Sequence, residues 1–246
     1  MLSFFSNKGY LVDVLAGLVD IHNHILPGID DGAKTPNDSL ELIKGFGEFG
    51  VTNFLCTPHI MHNYYPNTPG TIQSSFEILE KALEKKDIGG VSIYPAAEHM
   101  IDDNFEQLLH KDEVMPLKMY HLLIEMSFLQ PPINFKIALD KIISKGLFPI
   151  LAHPERYIFL KSNSSRFLSY KKKGVLFQVN LLSLANYYGK DVKLKAIKLM
   201  ENDLIDFVGS DVHNIQQLNF LKEATVTKKT AKRLDIIINR TIEQFY

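Results

Sequence analysis

The sequence predicts an α/β protein built on a parallel sheet, either closed or doubly wound. Seven short apolar blocks rich in β-branched residues recur along the chain. Stretches with helical period lie between them, and each apolar block closes on a polar or charged residue. Alternating strands and helices in this way is the pattern of parallel βα units. The 246 residues suit one such unit, since α/β barrels run to about 200–250 residues as a single domain. The chain is therefore read as one domain over 1–246, with residues 1–17 set apart as an N-terminal arm on the outside.

Taken in order, the first predicted strand is Leu18–His22, which ends in the run Asp20-Ile-His-Asn-His24. A helix follows over Ser39–Phe49, where Leu40, Ile43 and Phe46 share one face. Strand Val51–Thr57 comes next, then helix Ile72–Leu83 with Ile72, Phe76, Leu79 and Leu83 in register. Strands Val91–Glu98 and His121–Glu125 precede a helix over Ile133–Ile143. Strands Phe148–His153 and Val175–Asn180 lead to helix Val192–Met200, and strand Leu204–Asp211 to a closing helix over Leu234–Phe245. Gly50, Gly146 and Gly174 fall just before strands, where a helix ends in a left-handed residue. No glycine-rich fingerprint follows the first strand, which weighs against a dinucleotide fold.

Composition narrows the function. With 46% hydrophobic and 22% charged residues the chain is an ordinary globular protein. Its 27 basic and 28 acidic residues give a net charge of −1, so nothing in bulk electrostatics favours nucleic acid or an anionic membrane. The apolar run from Leu11 to Val19 is cut by Asp13 and falls short of the ~20 residues of a membrane span. The single cysteine, Cys56, cannot form an internal disulfide. A cytoplasmic location is expected.

The chemistry gathers at the ends of the predicted strands. His22 and His24 stand two apart, which in an extended segment puts both rings on one side. His59, Glu98, Glu125 and His153 end the next strand regions, and Asp211 with His213 ends the last. Asp30 and Asp31 lie in the loop after the first strand. In a β/α barrel all these ends converge on the face where active sites are built. His22, His24, Asp31, His59, Glu98, Glu125, His153, Asp211 and His213 are too many donors for one tetrahedral zinc. They suit two or three divalent ions, with manganese, iron and zinc fitting imidazole and carboxylate. Such sites perform hydrolysis by activating a bound water and clamping the charged transition state.

These stretches resemble the PHP (polymerase and histidinol phosphatase) superfamily, and within it the bacterial capsule and exopolysaccharide-type tyrosine phosphatases. The residues that carry the resemblance are Asp20-Ile-His-Asn-His24 with Ile29-Asp-Asp-Gly32, Thr57-Pro-His59, Ala97-Glu98, Ile124-Glu125, Ala152-His-Pro-Glu-Arg-Tyr157 and Gly209-Ser-Asp-Val-His-Asn214. The resemblance implies a distorted (β/α)7 TIM-like barrel holding three metals, often manganese. It implies that His22, His24, Glu98 and Asp211 hold one ion and that Asp31, His59 and His213 hold a second. Glu98, Glu125 and His153 would hold the third, with Glu98 as a bridge. The implied reaction is hydrolysis of phosphotyrosine in protein by a metal-activated hydroxide, without a covalent intermediate. The implied partner is the tyrosine-rich tail of a membrane-bound bacterial kinase of polysaccharide export. Relatives tend to carry a second arginine after the last Ser-Asp-X-His block, whereas this chain reads Asn214-Ile-Gln-Gln-Leu218.

Arg156 is the implied phosphate clamp, and a guanidinium three residues from a ligand can grip phosphate oxygens. The competing reading is an ion pair, for instance with Glu155. His62, three past His59, is a candidate proton donor or phosphate contact. Cys56 has no arginine six positions later and reads as a buried strand residue. Asp20 can support a ligand histidine from behind, and of Asp30 and Asp31 only one need bind metal. His99 should point away from the site, and His110 and His121 have no ligand company. Lys171–Lys173 reads as a solvated helix end, and Tyr64, Tyr65, Tyr187 and Tyr188 as loop aromatics able to rim a groove. Three other functions compete: histidinol-phosphate hydrolysis on the same metals, an amidohydrolase, and a non-catalytic metal-binding module. An amidohydrolase would need a carboxylated lysine where Glu125 stands.

Overall fold

A computed structural model describes residues 7–161 and 165–246. The chain opens with β1 (Lys8–Tyr10), a 3-10 turn (Leu11–Val14), β2 (Val19–Asp20) and α1 (Pro36–Gly47). Next come β3 (Asn53–Cys56), β4 (His59–Ile60), α2 (Pro69–Lys85), β5 (Ser92–Pro95), β6 (Glu98–Met100) and α3 (Phe105–His110). The middle holds β7 (His121–Glu125), α4 (Phe135–Ser144), β8 (Phe148–Ala152), α5 (Ser165–Lys172), β9 (Leu176–Asn180) and α6 (Leu181–Leu184). The chain ends with α7 (Lys190–Glu201), β10 (Phe207–Gly209), α8 (Ile215–Glu223), β11 (Thr225–Thr227) and α9 (Lys228–Phe245).

The architecture is α/β with parallel sheets. Six strands run β10-β9-β8-β7-β6-β4 and three run β2-β3-β5, all pairs parallel. Two predicted strands are each split. Val51–Thr57 gives β3, and its continuation past Pro58 gives β4; Val91–Glu98 gives β5 and then β6. Pro58 and Pro95 stand at the breaks, and proline has no N–H for a ladder. The halves stay in line because Ala96 N–H donates to Cys56 O at 2.9 Å and Glu98 N–H to Pro58 O at 3.1 Å. Each split strand thereby passes from the smaller sheet to the larger just before His59 and Glu98. Beyond β2, Asn23 bridges Val212 in parallel, and Asp211 N–H donates to His22 O at 2.7 Å. The segment that leaves β2 is thus hydrogen-bonded to the one that leaves β10.

The helices begin where their caps dictate. Thr35-Pro36 and Thr68-Pro69 each place a capping-box threonine before a proline in the first turn. α1 and α2 therefore start a few residues before their apolar stripes do. The stripes are buried as expected: Leu40, Ile43 and Phe46 on α1, and Ile72, Phe76, Leu79 and Leu83 on α2. Gly50, Gly146 and Gly174 all have positive φ. The predicted arm falls partly on residues 1–6, which lie outside the described residues. Of the rest, β1 pairs antiparallel with β11, and Leu11 and Leu15 are fully buried in the main core. No described helix is long and apolar enough to cross a membrane.

A candidate metal centre at the strand ends

All nine predicted donors arrive at one place. His22 and His24 follow β2, His59 and Glu98 open β4 and β6, Glu125 closes β7, and His153 follows β8. Asp211 and His213 follow β10, and Asp31 reaches in from the first loop. Glu98 is fully buried at the centre. Its Oε2 lies 3.2 Å from His22 Nε2 and 3.1 Å from His59 Nδ1, and its Oε1 lies 3.0 Å from His153 Nε2. Glu125 Oε1 is 3.1 Å from His59 Nδ1, and Asp31 Oδ1 is 3.5 and 3.6 Å from His59 and His213 Nε2. Four overlapping groups bring donor atoms within 4.8 Å of one another: His24, Asp31, His59 and His213; His22, His24 and Asp211; His22, Glu98 and His153; and His59, Glu98 and Glu125.

The donor set fits cations on an independent ground. His22 Nε2, His24 Nε2, Glu98 Oε2 and Glu125 Oε1 are buried and have no hydrogen-bond partner. Buried polar atoms are normally satisfied, so unpartnered imidazole nitrogens and carboxylate oxygens gathered at one point are a donor set that could hold cations.

Asp211 divides its two oxygens. Oδ1 faces His22 Nε2 at 3.3 Å and His24 Nε2 at 3.4 Å. Oδ2 accepts from Arg156 Nη1 at 2.9 Å, from Asn180 Nδ2 and from Tyr188 OH at 3.3 Å. Three donors saturate one oxygen and leave the other for a cation. Asp211 and His153 also hold φ of 56° and 35°, a region L-residues avoid and one found at functional sites.

Close backbone approach packs the candidate donors from behind. A Cβ on Gly32 would sit 2.1 Å from His24 O, and one on Gly209 would sit 2.6 Å from His22 Cβ. Only hydrogen fits at either position. Asp30 Oδ2 lies 2.7 Å from His24 Nδ1, and Gln178 Oε1 lies 2.8 Å from His22 Nδ1. Each partner accepts a ring N–H and leaves Nε2 to face the cluster. Asp20 instead holds the last strand end, accepting from Ser210 N–H at 2.8 Å and from its hydroxyl at 2.6 Å.

Burial works against every charge here, and neighbours of opposite sign set the balance. Burial lowers the His24 pKa, but the neighbouring carboxylates Asp30 and Asp211 together outweigh it and carry the value up to about 10. Burial raises Glu98 and Asp211, yet the histidines, His22 foremost, hold both well below the carboxylate range. Burial, with His24 nearby, pushes His213 down to about 4. Above the cluster opens a cleft of about 640 Å³ lined by His59, Glu98, His153, Arg156, Tyr188 and Phe128 among others.

A family model for capsular polysaccharide synthesis, CpsB/CapC, matches residues 18–235. The chain belongs to the CpsB/CapC family. It is 35% identical over 204 residues to the tyrosine-protein phosphatase YwqE of Bacillus subtilis, covering 82% of this chain and 80% of that one. To the tyrosine-protein phosphatase CpsB of Streptococcus agalactiae serotype V it is 30% identical over 213 residues, 84% of this chain and 88% of that one. Its backbone superposes with a TM-score of 0.80 and 31% identity on a solved structure from work on YwqE of Bacillus subtilis and CpsB of Streptococcus pneumoniae, unique metal-dependent tyrosine phosphatases. That match covers 93% of this chain and 94% of the other. The resemblance to the capsule-type branch therefore holds.

Within this CpsB/CapC chain, Arg156 lines the cleft and pairs with Asp211, not with Glu155. Glu155 is buried and accepts from Asn180 N–H. His62 is not brought to the cluster: it is exposed, its N–H donates to Asp102 Oδ2 at 2.7 Å, and it does not line the cleft. Asp30 is the buried support and Asp31 the group that faces the cleft. His99 is fully buried on the other face, with Nδ1 3.1 Å from Leu123 O and Nε2 accepting from Met115 N–H. Cys56 is buried in β3, where burial pushes its thiol pKa up. Lys171 and Lys173 pair with Asp206 and Asp140. The sequence reading passed over Gln178 and Asn180. Their signal was alternation with Phe177 and Val179 along β9, which puts both amides on the side of the cluster.

Proposed function

We propose that this protein is a metal-dependent phosphomonoesterase that hydrolyses phosphotyrosine in protein, on a seven-stave (β/α) barrel of PHP type forming one domain over 1–246. Convergence of nine donors, with buried, unpartnered atoms on His22, His24, His59, Glu98 and Glu125, carries this reading, and membership of the CpsB/CapC family supports it. The hydrogen bond between the segments that follow β2 and β10 supports a closed barrel.

His22, His24, Glu98 and Asp211 would hold one ion, Asp31, His59 and His213 a second, and Glu98, Glu125 and His153 a third. Mn²⁺ is the proposed metal, with iron and zinc as alternatives the same donors accept. When bound, such ions supply Lewis acidity and a water of lowered pKa. This chain's own groups do the rest. Arg156 grips a phosphoryl oxygen and stabilises its developing charge. Glu98, with both oxygens among three histidines, keeps the donor groups in one frame. Asp30 and Gln178 hold the tautomers of His24 and His22. A phenolate leaving group, of pKa ~10, asks little of a general acid, so His62 need not reach the cleft. The proposed substrate is the tyrosine-rich tail of a membrane-bound kinase of capsule synthesis, and the proposed location is the cytoplasm.

The test is phosphate release from a phosphotyrosyl peptide and from histidinol phosphate, with added Mn²⁺ and with chelator. Peptide turnover abolished by chelator is the expected result. Turnover of histidinol phosphate alone would move the substrate to small metabolites, and silence on both in metal-loaded protein would overturn the reading. His153→Ala should lose metal by mass spectrometry, whereas Arg156→Ala should keep it and lose about 100-fold or more in kcat.

A further inference from the structure

Arg156 is the one cationic side chain among the described residues that line the cleft apart from its histidines; no lysine and no second arginine joins it. A single guanidinium on a long, flexible stem must be held in one plane if it is to meet a phosphoryl group, because every free rotor it keeps weakens the contact. Two rings hold it. The Arg156 Cζ lies 4.3 Å from the centroid of Phe128 and 4.3 Å from that of Tyr188, so the guanidinium is packed against both aromatic rings. Its edge is tied by the 2.9 Å bond from Nη1 to Asp211 Oδ2, the same oxygen that the Tyr188 hydroxyl reaches at 3.3 Å. Tyr188 thus touches both members of the Arg156–Asp211 pair. Tyr187, its neighbour, meets the Tyr188 ring edge-on at 5.1 Å and packs on Phe220 at 5.2 Å, so it buttresses Tyr188 rather than Arg156.

Resting on the phosphatase reading above, we propose that Tyr188 is the positioning residue of Arg156, its ring face fixing the guanidinium against Phe128 so that this single cation presents a preset edge to the phosphoryl group. The ring, not the hydroxyl, carries the effect, since the contact to Arg156 is through the face and the bond to Asp211 is long. Arrangement by Tyr188 matters because the stretch Asn214-Ile-Gln-Gln-Leu218 contributes no arginine to share the phosphate.

The test uses the metal-loaded full chain and measures inorganic phosphate binding by calorimetry, with KM and kcat on a phosphotyrosyl peptide alongside. Tyr188→Leu should weaken phosphate binding and lower kcat/KM by about threefold to thirtyfold, with metal content unchanged. Tyr188→Phe should stay within about twofold of wild type, a rescue that a general packing role for the hydroxyl would not produce. In an Arg156→Ala background, Tyr188→Leu should add nothing, because the group it positions is gone. Unchanged phosphate affinity in Tyr188→Leu, or additive effects in the double variant, would overturn the proposal while leaving the phosphatase reading intact. Wild-type protein that neither binds phosphate nor turns over the peptide would overturn both.

Discussion

Asp211 shows how much one carboxylate can be asked to do. One oxygen faces two histidine nitrogens, the other takes three hydrogen bonds, and the backbone is held at positive φ to aim both. The same logic applies to Gln178, whose Nε2 donates to Val179 O at 2.7 Å and Asn180 Oδ1 at 2.9 Å, fixing its Oε1 toward His22. Gln178→Leu should therefore lower metal affinity about 10- to 100-fold, as loss of such supports does; titration of metal-free protein with Mn²⁺ checks it. His121 makes a different prediction, remote from the ligands. It is partly buried beside Phe148, Phe207 and Phe245, at 5.5, 6.0 and 5.2 Å between ring centroids. Burial lowers its pKa below the ordinary 6.5. The unfolded chain then takes up this proton first as pH falls below 6.5, so His121 contributes stability above that pH and loses it below. Urea midpoints between pH 7.5 and 5.5 should fall less steeply in His121→Leu than in wild type, and parallel slopes would exclude this source of acid lability.

At the scale of elements, the site depends on strand ends that are broken, bent or tightly packed. Pro58 and Pro95 interrupt two strands just before His59 and Glu98, letting those side chains leave one sheet and enter the other. Gly209 in β10 lets that strand lie directly against His22 and Gln178. Gly209→Ala should push the His22 ring off its position: metal content by mass spectrometry should drop, and the melting temperature with it. The helices stand away from the chemistry except α8, whose Gln217 accepts from His213 N–H at 2.7 Å and lines the cleft. Thr35 caps α1 by accepting from Asp38 N–H while Asp38 accepts from Thr35 N–H. Thr35→Ala should cost about 1 kcal/mol of stability, read from denaturant unfolding, with kcat and KM unchanged.

For the whole molecule, one buried cluster of carboxylates and imidazoles is fed by nearly every strand of the larger sheet and by the first strand of the smaller. Cations that bind it bind only the folded chain, so they add stability by mass action. Melting temperature should rise with Mn²⁺ in a concentration-dependent way and fall on chelation. A melting curve indifferent to both would mean that the cluster does not hold ions. The link between the Asn23 and Val212 segments makes this dependence global, since it joins the two ends of the strand series beside His22, His24 and Asp211.

Strand–helix alternation, the apolar stripes of the helices and the nine candidate donors were legible in the sequence, because burial periodicity and ligand chemistry are local properties that follow residue type and spacing; the threonine caps that start α1 and α2 were passed over. His-X-His on a strand, and acidic or imidazole residues closing successive strands, already pointed to one metal face. Short elements such as α3, α6 and β4 were not legible, since a few residues carry too little periodicity to stand out. Nor were the partners: that Arg156 meets Asp211 and not its neighbour Glu155, that Asp30 supports while Asp31 faces the cleft, and that His62 stays outside. Those choices depend on which side chains the fold brings within hydrogen-bond reach across 55 positions of chain in the case of Arg156 and Asp211. The sequence alone determined which atoms could bind metal and phosphate; the tertiary structure decided which of them meet, because contact between distant residues is set by packing and not by spacing.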